Sequence, residues 1–257
     1  MADSYDKTKK YRLLEEVGFR RYFKAETWAD FNRQFFDGLA PKYDRLNEVL
    51  SLGQHHRIKR EAIQSLDLNP KAKVLDLCTG SGDIAIDIAK HFPYSHVVGI
   101  DASEKMLEIA RSHARGLGNI EFKKADALKL PFENETFDAV IISFGLRNLE
   151  DLKAGILEMK RVTKSGGKIM NLDLGTPENL FLRWFHAVYF GRLIPLLGRI
   201  LFHRGEFNSF HYLPASRKYF PNQRELVEIL NELCPGSVQR RDYMLGAISQ
   251  QTAVISH

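Results

Sequence analysis

Only two cysteines, Cys78 and Cys234, occur in 257 residues, with no CxxC pair and no cluster of His and Cys at zinc spacing. Neither a disulfide framework nor a bound metal is therefore expected, and a reducing compartment, the cytoplasm, is the simple reading. Long apolar runs are also missing: no stretch reaches the ~18 residues that a membrane-spanning helix needs. Met1 to Tyr11 is polar and charged with no apolar segment behind it, so no secretory signal is expected there. Nothing repeats and no segment is low in complexity. Excess charge of one sign is scarce as well, since 37 Lys and Arg stand against 32 Asp and Glu. That excess is too small to argue for a nucleic-acid partner. It suits an anionic membrane surface, near which each basic side chain contributes about 1 kcal/mol.

What is present is an alternation. From Lys73 onward short apolar runs (KVLDL, HVVGID, NIEFKKAD, FDAVIISF, GGKIMNLDL) are separated by helical periodicity starting near Gly82, near Ser103 and near Asp151. This is the pattern of a parallel sheet with crossover helices, an α/β doubly wound, Rossmann-like fold. Two more strands are expected over 238–243 and 247–255, with Gly246 turning between them, which makes seven. Residues 1–70 look almost wholly helical and form an N-terminal segment; residues 71–257 form the main domain, with a helical lid inserted after strand five at about 178–221. One catalytic unit with appended helices is expected at this length.

The run from Val74 to Asp83 carries a strand into a helix through Thr79-Gly80-Ser81-Gly82, where glycine permits a tight turn and close approach of a ligand to backbone. Alone it is ambiguous, because Gly80-Ser81-Gly82-Asp83-Ile84-Ala85 also fits the dinucleotide pattern G-x-G-x-x-A, and the glycines also serve as plain turn residues. Asp101, ending strand two, accepts ribose hydroxyls in either case. Three features favour S-adenosylmethionine. Asp76, near the end of strand one, attracts a sulfonium or ammonium group but repels a pyrophosphate. Asp126-Ala127 ends strand three where an adenine amine would lie. Strands four and five then follow in the order usual for class I methyltransferases.

Beyond that core, Tyr43-Asp44-Arg45-Leu46-Asn47 with Ser51 and His55, the run Arg161 to Gly167, and Ser143-Phe144-Gly145-Leu146-Arg147-Asn148 carry a more specific likeness. With Tyr212-Leu213, Ser216 and Phe220-Pro221 they span roughly residues 36–254, and on them the chain resembles the ubiquinone/menaquinone biosynthesis C-methyltransferases. The resemblance implies that Ser81, Asp101, Asp126, Ala127 and Ser143 contact S-adenosyl-L-methionine, and that Tyr43, Arg147 and Asn148 approach the acceptor, a prenylated quinol such as demethylmenaquinol or a benzoquinol analogue. Two departures stand out: Ile58 where the family has Trp, and Asp173-Leu174-Gly175 where it has Glu-x-Ser. Both are expected on the acceptor side.

A sulfonium methyl is already activated, so the enzyme must align a ring carbon with it and raise electron density there. A quinol hydroxyl that loses its proton does this, given a base or a cation to hold the phenolate. Arg147, a permanent cation, suits the second role rather than the first. His55, His56, His186 and His211 are the candidate bases, His55 foremost because it falls in the signature. Structural roles compete with each: Asp44 caps or pairs at a helix end, Tyr43 packs beneath the lid. Between Leu180 and Phe202 lie Phe181, Trp184, Phe185, Tyr189 and Phe190 among Arg183, Arg192 and Arg199, broken at Gly191 and Pro195. We expect a lid that takes the prenyl chain and touches the membrane peripherally; the alternatives are a buried helical pair or a homodimer contact. Two further functions stay open, a methyltransferase for another small aromatic or lipid acceptor and a non-catalytic S-adenosylmethionine-binding accessory subunit.

Overall fold

The first described helix of the computed structural model, α1 (Trp28–Leu39), forms because its apolar residues recur at helical spacing. Trp28, Phe31, Phe35 and Leu39 are buried on one face, and the Thr27 side chain accepts the Asp30 N–H as N-cap. Burying a ring such as Phe31 stabilises the fold by roughly 1.5–3 kcal/mol. A 3₁₀ turn, Ala40–Lys42, leads into α2 (Tyr43–Leu50) and α3 (His55–Gln64). The structure describes residues 27–51, 53–189, 192, 212, 216, 217 and 220–256. Expectations for residues 1–26, for Phe190, Gly191, Pro195, Arg199, Phe202 and His211, and for the side chains of Phe185 and His186 lie outside the described residues.

The sheet has seven strands: β1 (Lys73–Leu77), β2 (His96–Asp101), β3 (Ile120–Lys124), β4 (Phe137–Ser143), β5 (Thr163–Leu174), β6 (Val238–Tyr243) and β7 (Ile248–Val254). Their order across the sheet is β3-β2-β1-β4-β5-β7-β6. The first five run parallel, and β7 pairs antiparallel with both β5 and β6. The doubly wound, seven-stranded expectation is met. Helices α4 (Asp83–His91), α5 (Glu104–His113), α6 (Leu152–Val162) and α8 (Gln223–Leu233) flank the sheet. Their starts are written locally: Ser103 caps α5, Asp151 caps α6, and Asn222 with Glu225 forms a capping box on α8.

Ala139 to Ile142 in β4 are wholly buried, as a central parallel strand covered on both faces must be. Alternate residues feed two cores. Leu75, Val98, Val140 and Ile169 meet Ile156 and Met159 of α6 and Leu226 and Leu230 of α8. Val74, Val97, Ile141 and Met170 meet Ile84 and Ile88 of α4 and Ile58, Ala62 and Ile63 of α3. Ile58 is thus a core residue against the sheet, not an acceptor-side residue, because it lies on the apolar stripe that fixes α3.

Two boundaries differ from expectation. β3 stops at Lys124, two residues before Asp126. The Asp126 carboxylate takes the Leu128 N–H at 2.8 Å, and this local turn competes with the ladder, leaving Asp126 only an isolated bridge to Lys129. β7 begins at Ile248, after a 3₁₀ turn over Met244–Gly246. Of the expected lid, α7 (Leu180–Val188) is described, started by Asn179 Oδ1 accepting the Phe181 N–H.

Candidate active site

The strand order reverses between β1 and β4, and in an open α/β sheet a crevice forms beyond the strand ends at such a point. The glycine turn that follows β1 stands there. Cys78, Gly80 and Gly82 all have positive φ, +54°, +56° and +88°. A side chain on Gly82 would also come within 3.1 Å of Ala110 of α5, Ile86 and Phe122 of β3, so the positive φ and the close approach of the start of α4 to α5 and β3 both favour glycine there. Asp76 sits beneath the turn and takes the Thr79 hydroxyl at 2.6 Å and the Ala85 N–H. Asp101 holds the turn from the side: one oxygen accepts the Gly80 N–H at 3.0 Å, the other the Ser103 N–H at 2.9 Å. Ser103 in turn donates to Asp37 of α1 at 2.5 Å.

Above this turn lies a cavity of about 450 Å³, within the ~300–1,000 Å³ range of ligand sites. Of the residues the sequence points to, Tyr43, Gly80, Asp101, Asp126, Ala127, Ser143 and Asn148 are on its wall. Asp76, Ser81, Gly82, His55 and Arg147 are not. Asp76 is covered by the turn it shapes and does not line the cavity. α1, whose role is not singled out by the sequence reading, roofs the cavity with Trp28, Asn32 and Phe36. Its signal was available as the apolar period of Trp28, Phe31, Phe35 and Leu39.

Four carboxylates (Asp30, Asp101, Asp126, Glu150) line the cavity against two cations, Arg33 and Lys124. Such a wall suits a positively charged ligand and repels a pyrophosphate, which removes the dinucleotide reading of the glycine motif. Burial pushes the Asp76 carboxyl up to about 7, with the Thr79 hydroxyl and Lys59 holding it back. Burial also raises Asp101, partly offset by the N–H groups of Ser103 and Gly80. The Ser143 hydroxyl is buried, faces the cavity wall and has no hydrogen-bond partner among the described residues. An orphan donor beside an acidic wall and a glycine cradle fits S-adenosylmethionine, which brings a cation and many acceptors.

The two residues expected to approach the acceptor, Arg147 and Asn148, form part of a 3₁₀ turn, Leu146–Asn148, after β4. The Arg147 guanidinium is buried and bonded through Nη1 to Asp173 Oδ1 at 2.6 Å and to Phe144 O at 2.8 Å; its Nε–H has no partner among the described residues. Asp173, the departure noted in the sequence, is therefore the counter-ion of Arg147 rather than a wall of the cavity. Asn148 is a hub: its carbonyl accepts Trp28 Nε1–H at 2.7 Å and Asn32 Nδ2–H at 2.6 Å, and its side chain accepts the Tyr212 hydroxyl at 2.8 Å. Tyr43 lays its ring 3.5 Å from the position of a Gly80 Cβ, and burial raises its phenol.

His55 is buried at the start of α3, its Nδ1 3.0 Å from Ser51 Oγ and 3.3 Å from Glu48 Oε2. Burial, then Lys59 and His56, lower its pKa. Glu48, His55 and His56 are the one trio among the described residues whose donor atoms come within 4.8 Å. Lys59, one turn along the same helix, opposes a dication there. Lys59 itself is unforeseen: a lysine on the buried stripe of α3, bonded to Asp83 Oδ2 at 2.9 Å.

Comparison with known proteins places these features in a lineage. The model of the ubiE/COQ5 methyltransferase family matches residues 25–255. A ubiquinone/menaquinone biosynthesis C-methyltransferase UbiE of Geobacter sulfurreducens is 35% identical over 218 residues, covering 83% of this chain and 84% of that protein. A demethylmenaquinone methyltransferase of Leptospira interrogans is 38% identical over 231 residues, covering 88% and 92%. Among solved structures, a SAM-dependent methyltransferase of Thermotoga maritima has a TM-score of 0.62 at 17% identity, over 87% of this chain and 99% of that one, which is a likeness of fold.

Proposed function

The chain belongs to the ubiE/COQ5 methyltransferase family, and from that premise we propose that it transfers a methyl group from S-adenosyl-L-methionine to a ring carbon of a prenylated quinol, demethylmenaquinol or a benzoquinol analogue. The observation that carries the reading is the acid-lined cavity over the glycine turn, with the unpartnered Ser143 hydroxyl in its wall.

Bound S-adenosyl-L-methionine supplies a methyl group already activated by its sulfonium. The protein's share is to bind, orient and exclude water. The turn Gly80-Ser81-Gly82 would give close approach at the Gly80 backbone, Asp101 would accept ribose hydroxyls, Asp126 and Ala127 would border the adenine, and Ser143 would donate. On the other side Tyr43 and Asn148 border the acceptor. Arg147 stands behind Phe144, its guanidinium 5.8 Å from that ring's centre and off the cavity wall, so it acts on a phenolate through its charge rather than by a direct hydrogen bond. Asp173 orients it. His55, whose imidazole burial favours in its neutral form, is the candidate base, and because it is not on the cavity wall it would take the quinol proton only through a relay.

The lid helix α7 supports peripheral contact with a membrane on the cytoplasmic side. Leu180, Phe181 and Trp184 are exposed, the last two with stacked rings, beside Arg183. No described helix is long and apolar enough to cross a membrane. Incubation with methyl-labelled donor tests the function: label should enter the ring of a demethylated quinol. Label entering only other aromatic or lipid acceptors would replace the substrate, and cofactor binding without transfer to any acceptor would favour an accessory subunit.

A further inference from the structure

Lys59 is one of the most buried charged side chains of the fold, with 8% of its side chain accessible. Lysine is almost never so placed unless paired. Its ammonium bonds Asp83 Oδ2 at 2.9 Å, and Asp83 is the first residue of α4, directly after the glycine turn. Tyr43 and Asp76 lie close enough for its charge to act on both. One side chain thus links α3, the start of α4, the phenol that packs on Gly80 and the carboxylate beneath the turn.

We propose that Lys59 is a positioning residue of the cofactor site, reaching from α3 to clamp Asp83 at the start of α4 and setting a buried cation near the Asp76 carboxylate beneath the glycine turn. The inference rests on that turn being the seat of S-adenosyl-L-methionine. Charged Asp76 accepts both the Thr79 hydroxyl and the Ala85 N–H, and it contributes negative potential under a cationic ligand; protonated Asp76 does neither fully. Affinity for the cofactor therefore follows the ionised fraction of Asp76. Burial of that carboxyl is opposed first by Thr79, then by Lys59, which leaves it near 7. Lys59 keeps its own charge because its ion pair with Asp83, with Asp76 nearby, outweighs its desolvation. The groups facing this cluster are Asp76 of β1, Asp101 of β2, Asp83 of α4, Tyr43 of α2, and His55, His56 and Lys59 of α3.

Calorimetric titration of the full chain with S-adenosyl-L-methionine from pH 5.5 to 9 (roughly the span in which such a group titrates) tests this. In the unaltered protein affinity should fall as pH drops through about 7. Lys59→Met should move that fall upward by about one pH unit or more, the size of a lost neighbouring charge, and so weaken binding at pH 7 roughly fivefold or more, the drop in the ionised fraction of a group moved from about 7 to about 8. Because Lys59→Met strands a buried carboxylate, Lys59→Met/Asp83→Leu is measured beside it; replacing both charges by apolar residues keeps the fold while Asp76 still loses its cation. Asp76→Asn should abolish the fall, whereas a fall belonging to His55 or His56 would survive and overturn the proposal. Unshifted binding in the double variant would also overturn it, provided Asp101→Ala weakens binding. If Asp101→Ala has no effect either, the assignment of the cavity itself fails.

Discussion

Replacing Asp173 by Asn removes a charge but keeps the shape of the side chain, so it isolates the buried ion pair behind Phe144. Asp173 is 1% accessible and Arg147 7%, and the carboxylate also accepts the Leu174 N–H at 2.8 Å. With the charge gone, the guanidinium stays buried without a counter-ion. Loss of one partner of such a pair costs about 3–5 kcal/mol, and at this chain length each kcal/mol lowers Tm by about 2–4 °C. Asp173→Asn should therefore melt roughly 6–20 °C below the unaltered protein. The double variant Arg147→Met/Asp173→Leu removes both charges and should stay within about 1 kcal/mol, since buried pairs replaced by apolar residues are often neutral. Urea denaturation followed by circular dichroism reads both. The double variant then decides what Arg147 does: a folded protein that binds cofactor normally but turns over a quinol about a hundredfold more slowly locates its role in the transition state. An Asp173→Asn variant within about 0.5 kcal/mol of the unaltered protein, the size of an ordinary surface effect, would refute the buried pair. Normal turnover in the double variant would reduce Arg147 to a structural residue.

What the sequence discloses follows from the distance over which each determinant acts. β1, β2 and β4 are apolar runs bounded by turn chemistry, and Ser103 and Asp151 cap the helices that follow; all these signals operate within a few residues. The glycine turn and Asp101 are legible for the same reason. β3 is misjudged at its end because the Asp126 side chain competes with the ladder, a choice that an apolar period does not encode. The partners of Arg147 and Asn148 are hidden differently. Asp173 lies 26 residues from Arg147, Tyr212 lies 64 from Asn148, and Trp28 lies 120 from it, so only the assembled sheet end brings them together. Lys59 is the instructive case, since His55, Ile58, Lys59, Ala62 and Ile63 form one helical stripe. A lysine on that stripe demands a counter-ion somewhere, but nothing local says that it is Asp83.

Three further outcomes test the site and the lid. Asp101→Ala should weaken S-adenosyl-L-methionine binding by about 1.5–3 kcal/mol, the loss expected for a hydrogen bond to a charged group, as read by calorimetry. Asn148→Ala should cost about 1–3 kcal/mol in urea denaturation, because it removes the 2.8 Å hydrogen bond of the Tyr212 hydroxyl, whose contact to Asn32 Oδ1 is longer at 3.4 Å, while Trp28 and Asn32 keep the backbone carbonyl; no loss would mean that Asn32 takes over as acceptor. The lid prediction turns on two forces with different ranges. Attraction of Arg183 and Arg192 to anionic lipid is screened over about 8 Å at physiological salt, whereas insertion of Phe181 and Trp184, each worth roughly 1.5–3 kcal/mol when fully buried, is not. Sedimentation with anionic liposomes should therefore weaken with salt without vanishing. Phe181→Ser/Trp184→Ser should lower it at every salt concentration and raise KM for long-chain quinols, while short-chain analogues, which need no lid contact with the bilayer, change far less. Equal effects on both acceptors, or an unaltered protein that ignores liposomes at low salt, would make α7 an interface with the protein itself or with a second copy, because exposed rings at a membrane cannot distinguish acceptors except through the tail that the membrane holds.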